Sequence, residues 1–126
     1  MKQRILVVDD DRLVADTLSQ IYEVNGFDSV ACYSAREGLE AARKHRPALV
    51  VCDVTMPEES GLVLAERLNN EMPLCQVLMF TAFASNVSQV HLQSLRLKRE
   101  LRLLAKPCPP AELLRETYDM LQRKSA

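Results

Sequence analysis

Glycine is scarce in this chain: Gly26, Gly38 and Gly61 are the only three among 126 residues. The G-x-G-x-x-G dinucleotide fingerprint and the G-x-x-x-x-G-K phosphate loop both need glycines in far closer spacing, so neither exists here. Long apolar runs are also missing. Behind the basic start Met1-Lys2-Gln3-Arg4, the run Ile5 to Val8 meets three aspartates, too soon for a signal-peptide core or a membrane span. A charge excess is missing as well. With a net charge of -1 and a pI near 6.1, the chain has no global field for polyanions, so direct nucleic-acid binding is not expected. Cysteine does occur, as Cys32, Cys52, Cys75 and Cys108, but with neither C-x-x-C nor a nearby His in ligand spacing. These read as small, reduced core residues of a cytoplasmic protein, not as zinc or redox motifs.

What is present fits one soluble domain spanning 1–126, with 48% hydrophobic and 26% charged residues and no linker, repeat or low-complexity segment. No output domain is expected. Apolar, β-rich runs at Ile5–Val8, Ser29–Tyr33, Leu49–Cys52, Val77–Phe80 and Leu103–Ala105 alternate with helical patterns. Val14, Leu18 and Ile21 predict a helix from Arg12 to Asn25 with Gly26 as its stop. Ser34 followed by Glu37 is a capping-box pattern for a second helix, which must end near Arg46 because Pro47 disfavours helical geometry before it. Leu62, Leu64, Ala65 and Leu68 predict a third. Pro110, with Glu112 in the first turn and Leu113, Leu114, Tyr118 and Leu121 behind it, opens the last. Alternating β and α elements imply a parallel sheet with helices on both faces.

Polar residues punctuate the strand ends: Asp9-Asp10-Asp11 after the first, Asp53 after the third, Thr81-Ala82 after the fourth, and Lys106-Pro107 after the fifth. Ligands of open parallel sheets bind outside the carboxyl ends of the strands, so these groups are expected to converge on one pocket. Bland roles exist for each: Asp11 reads as a helix cap, Thr81 as a strand-end residue, Lys106 as a solvated lysine, and Asp53 as a turn former before Met56-Pro57. Their coincidence in order and spacing is what favours a site.

Ile5-Leu6-Val7-Val8-Asp9-Asp10-Asp11, Asp53-Val54-Thr55-Met56-Pro57 with Gly61 after it, Thr81-Ala82 and Lys106-Pro107 together resemble the receiver domain of two-component response regulators, over nearly the whole chain. The resemblance implies a flavodoxin-like doubly wound sheet of strand order 2-1-3-4-5, with the first and third strands adjacent. Adjacency would gather Asp9, Asp10 and Asp53. Carboxylates about 5 Å apart at an effective dielectric near 20 repel by ~3 kcal/mol per pair, so such a cluster needs a cation. Hard oxygens suit Mg²⁺. By motif position, Asp10 and Asp53 would be direct ligands, Thr55 would offer its backbone carbonyl, and Asp9 would act largely through bound water. Asp53 would be the phosphoacceptor, a carboxylate already nucleophilic at neutral pH. Lys106, the Thr81 hydroxyl and the Ala82 backbone N–H would hold the phosphoryl oxygens. The resemblance also implies a cis Lys106-Pro107 peptide.

The donor would be a phosphohistidine on a sensor histidine kinase or a histidine phosphotransfer protein, and the outcome a change in protein-partner affinity: a switch, not an enzyme. Two departures concern the fifth strand. Arg99-Glu100 stand where the family carries Gly-Ala, and Leu103 stands at the position of the aromatic switch residue. Between Asn86 and Leu104, Arg96, Lys98, Arg99 and Arg102 outnumber Glu100 while apolar residues recur near helical spacing. This predicts a basic face at the fourth helix and fifth strand that binds an acidic protein or a second copy of the chain, or else a merely solvated face. Two other readings stay open: a degenerate receiver acting as a phosphorylation-independent scaffold, and an aspartyl phosphatase of the haloacid-dehalogenase type, with Asp9-Asp10-Asp11 as its D-x-D motif.

Overall fold

A computed structural model describes residues 2–83 and 86–123. Its elements run β1 (Arg4–Val8), α1 (Arg12–Val24), β2 (Asp28–Cys32), α2 (Ala35–His45), β3 (Leu49–Asp53), α3 (Gly61–Glu71), β4 (Gln76–Thr81), α4 (Asn86–Leu97), β5 (Arg102–Ala105) and α5 (Pro110–Arg123). The strands form one parallel sheet in the order β2-β1-β3-β4-β5, the doubly wound order expected from the sequence. Boundaries moved by a residue or so: α1 stops at Val24 with Asn25 as its cap, β2 starts and ends one residue early, and β5 begins at Arg102.

Side-chain alternation along the strands divides the core into two layers. Leu6, Val8, Val50, Cys52, Val77 and Met79 face α2 and α3, packing with Leu39, Ala42, Leu64, Ala65 and Leu68. Ile5, Val7, Leu49, Val51, Leu78 and Phe80 face the other way, onto Ala15, Leu18 and Tyr22 of α1 and Leu113 and Met120 of α5. Each fully buried Leu or Val contributes roughly 1.5–3 kcal/mol. Between the two helices the Tyr22 and Thr117 hydroxyls lie 2.7 Å apart, and Thr117 also donates to the Leu113 carbonyl at 2.8 Å. No disulfide joins the cysteines of the described residues; Cys32, Cys52 and Cys75 are buried and Cys108 is half-buried.

Helix ends follow from local chemistry. The Asp11 carboxylate accepts the Leu13 and Val14 N–H groups and caps α1. Gly26, at φ +93°, makes the turn out of that helix that an L side chain resists. At α2, Ser34 Oγ accepts the Glu37 N–H while the Glu37 carboxylate accepts the Tyr33 N–H, a reciprocal cap displaced by one residue from the usual box. Arg46 closes α2 in the left-handed region ahead of Pro47. Gly61 opens α3 against the end of β3: a Cβ there would lie only 2.0 Å from the Asp53 carbonyl oxygen and 2.8 Å from Cys52 Sγ. Only glycine lets α3 start so near the strand that carries Asp53.

Candidate functional site

Adjacency of β1 and β3 pairs Val8 with Cys52, so the residues that follow them, Asp9 and Asp53, leave the sheet side by side. Asp9, Asp10 and Asp53 each offer a carboxylate oxygen within a cluster whose atoms all lie within 4.8 Å of one another. Asp9 and Asp53 are buried, whereas Asp10 is exposed, so the cluster has a deep side and an open mouth. Asp9 is held on both oxygens: Oδ1 accepts the Asp11 N–H at 3.0 Å and Oδ2 the Lys106 ammonium at 2.7 Å. Lys106 Nζ also lies 3.5 Å from Asp53 Oδ2. It reaches both acids from the end of β5, where the Lys106-Pro107 peptide is cis.

Burial lifts the Asp53 carboxyl from 3.8 to about 6, the charge of Asp9 adds to the rise, and Lys106 with the Thr55 N–H oppose it. Lys106 is itself raised: burial works against its charge, but the hydrogen bond to Asp9 and the field of Asp53 outweigh it. Three carboxylates against one ammonium leave negative charge at the mouth. A donor set made only of hard oxygens, open on one side, fits an octahedral cation that keeps part of its water, as Mg²⁺ does. The Thr55 carbonyl, two residues past Asp53, belongs to the same loop.

On the other flank, Phe80 pairs with Asp53 across the sheet, and Thr81 is the next residue of β4. Its hydroxyl is buried and hydrogen-bonded: Oγ1 accepts the Phe83 N–H at 3.0 Å and the Asn86 side-chain amide at 2.7 Å. Asn86 Nδ2 also donates to Thr55 Oγ1 at 3.0 Å. Sequence reasoning passed over Asn86; the available signal was a carboxamide five residues past Thr81 at the start of a helix. Ala82 is exposed beside the cluster. An apolar cleft lined by Leu13, Val14, Leu18, Phe80, Pro107 and Cys108 adjoins Lys106.

The basic run behaves otherwise than the sequence suggested. Arg96 reaches Glu66 of α3 at 2.6 Å. Arg99 folds back onto the Asn69 side chain and the carbonyls of Pro73 and Cys75, and Arg102 is gripped by Glu100, Glu116 and Asp119. These guanidiniums tie α4 and β5 to α3 and α5, which takes Arg99 and Arg102 out of the expected open basic face, while Arg96 and Lys98 stay exposed. Among its large apolar residues α4 exposes Val87, Leu92 and Leu95. Asp11, the second acid of the D-x-D alternative, uses Oδ1 to cap α1.

No helix of the described residues is long and apolar enough to cross a membrane. The chain is 31% identical over 86 residues to the polar-differentiation response regulator DivK of Brucella anthropi, covering 67% of this chain and 70% of that one. It is 36% identical over 78 residues to the probable transcriptional regulatory protein TcrX of Mycobacterium tuberculosis, covering 62% of this chain and 33% of the other. A crystal structure of a CheY-like response regulator receiver domain protein from Methanospirillum hungatei JF-1 superposes with a TM-score of 0.91 at 28% identity, over 99% of this chain and 98% of that one. Residues 5–118 match the response regulator receiver domain family, and with the strand order and the acidic pocket in place, the chain belongs to that family.

Proposed function

We propose that the chain is a phosphoacceptor switch, in which Asp53 takes a phosphoryl group from a phosphohistidine and the modified chain changes its affinity for a protein partner. The observation that supports this most directly is the pocket itself: three carboxylates within 4.8 Å of one another and a lysine bonded to one of them and 3.5 Å from Asp53. A scaffold that never meets phosphate has no use for such a costly cluster.

In the proposed transfer an Asp53 carboxylate oxygen attacks phosphorus and forms the P–O bond. The P–N bond to the donor imidazole breaks, its electron pair stays on the ring nitrogen, and the product is an acyl phosphate. Asp53 must be ionised to attack, which Lys106 favours. Charge on the three equatorial oxygens of the loose transition state is the main catalytic problem. Bound Mg²⁺, held by Asp10, Asp53 and the Thr55 carbonyl with Asp9 behind water, would neutralise part of that charge. Lys106 would turn from Asp53 to one phosphoryl oxygen, and the Thr81 hydroxyl with the Ala82 N–H would take another. The apolar cleft beside Lys106, with Leu13 exposed at its rim, suits the histidine-bearing helix of a sensor kinase or phosphotransfer protein. Downstream recognition is assigned to the α4–β5 side, through the apolar Val87, Leu92 and Leu95 rather than through basic charge, with a homodimer as one form it can take.

Intact mass after incubation with acetyl phosphate and Mg²⁺ tests the reading. Wild type should gain one phosphoryl group, Asp53→Asn none, and chelator should suppress labelling. Full labelling of Asp53→Asn would overturn the acceptor, and undiminished labelling in chelator would overturn the metal.

A further inference from the structure

Receiver-type switching needs something that tells the outer surface whether Asp53 carries a phosphoryl group, and here β5, Arg102–Ala105, has no aromatic ring to do it. Leu103, the residue placed for that task, is aliphatic, half-buried and packed on the core. The Thr81 hydroxyl is nevertheless tied to another element. Asn86, only 6% exposed, sends one amide hydrogen to Thr81 Oγ1 at 2.7 Å and the other to Thr55 Oγ1 at 3.0 Å. It is also the first residue of α4.

We propose that Asn86 is a positioning residue that relays the state of the Thr81 hydroxyl to α4, in place of a rotating aromatic ring. The inference rests on the phosphoacceptor reading of Asp53. Thr81 Oγ1 receives two N–H groups, from Asn86 and Phe83, which occupy its lone pairs. Its own proton is left to a 3.3 Å contact with the Phe83 carbonyl, long for an O–H···O bond. That weakly held proton is free to turn towards a phosphoryl oxygen on Asp53. Donation from the Asn86 amide makes the hydroxyl a better donor in turn, so the chain amide, hydroxyl, phosphoryl oxygen reinforces itself.

When Thr81 Oγ1 is drawn to the phosphoryl group, Asn86 must follow it and loosen its hold on Thr55. Its backbone is the first turn of α4, so the helix start moves with it. Little opposes the movement, since Val90 is the only apolar side chain of α4 that is fully buried. Phosphorylation is thereby read out as a shift of α4 together with its exposed Val87, Leu92 and Leu95.

Amide exchange of Val90 to Gln93, whose helical bonds close on the carbonyls of Asn86 to Gln89, reads this relay in two arms. In the unmodified chain, Thr81→Val and Asn86→Ala should each speed exchange about fivefold, the loss expected for one hydrogen bond, and the double variant should be no faster than either. Multiplying effects would overturn the coupling without any phosphorylation being involved. In the second arm, wild type, Asn86→Ala and Asn86→Asp are labelled with acetyl phosphate and Mg²⁺. Asn86→Asp keeps the shape and places a carboxylate at a helix start, which favours α4, so a lost response there cannot come from a frayed helix. Both variants should label at Asp53 like wild type yet lose most of the phosphorylation-dependent change in exchange. A full change in the labelled variants would overturn the relay, and so would failure of these two variants alone to label, which would move Asn86 into the transfer step. Absence of label in wild type would instead remove the phosphoacceptor reading on which the relay stands.

Discussion

Helices α1 and α4 flank the same pocket and are held in opposite ways. Helix α1 is capped by Asp11 and buries Ala15, Leu18, Ser19 and Tyr22. It is pinned sideways by Ser19 to Ser29 at 2.8 Å and by Tyr22 to Thr117 at 2.7 Å. Helix α4 buries only Asn86 and Val90, and its outer ties are the Gln93 amide on the Leu62 carbonyl, the Ser94 hydroxyl accepting the Leu101 N–H, and the exposed Arg96–Glu66 pair. Exposed ion pairs contribute at most about 1 kcal/mol. The difference shows where a small chemical event can be converted into motion: elements with few buried apolar contacts open at low free energy, while well-packed ones open only with the whole domain. The one buried polar residue at the foot of α4 is the one that touches the site.

The largest test of this contrast compares truncations. Tyr22→Ala removes a fully buried ring and the partner of Thr117, and should cost about 3–5 kcal/mol in urea denaturation. Val90→Ala should cost about 1–3 kcal/mol and speed amide exchange in α4 ahead of the rest. Equal global losses would mean that α4 is as firmly seated as α1, and the proposed division between frame and moving part would fall.

The frame was legible in the sequence because its signals are local and repeated. Alternation in β1, β3 and β4 and the caps at Asp11 and Ser34 placed most elements within about a residue or two, as boundary signals allow. Strand-end acids and Lys106 were legible for the same reason, each ending an apolar run. What could not be read was partnership between residues distant in the chain. Arg96, Arg99 and Arg102 look like a basic face until α3 and α5 supply Glu66, Asn69, Glu116 and Asp119. Asn86 looks like any polar residue opening a helix until the fold sets it between Thr55 and Thr81. Pairings of that kind are properties of topology, and no window of sequence contains them.

A second test addresses what the pocket costs the frame. Asp53 has a folded value of about 6 against an ordinary 3.8, so between those values the folded chain binds more protons than the unfolded one, and stability falls as pH rises through that window. The shift corresponds to ~3 kcal/mol, which solvent at the open mouth reduces to about 1–2 kcal/mol. In chelator, Asp53→Asn should therefore match wild type in unfolding free energy from urea denaturation near pH 4 and exceed it by that amount above pH 6. A constant difference across the range would show that the carboxyl is not raised by its surroundings.

The smallest expected effect separates the two neighbouring acids Asp9 and Asp11, and with them the frame from the site. Asp11→Ala deletes the carboxylate that caps α1, and loss of such a cap costs about 1 kcal/mol, a fall of roughly 3–5 °C in Tm for a domain of this size. The Asp11 N–H that steadies Asp9 is backbone and survives the change. Stability should therefore drop while phosphoryl labelling of Asp53 proceeds to the wild-type extent. A drop in labelling with Tm unchanged would place the Asp11 carboxylate in the pocket instead of on the helix, and would favour the D-x-D reading. The predicted pattern, a less stable α1 with unaltered chemistry, requires that α1 serve the site only as a rigid support.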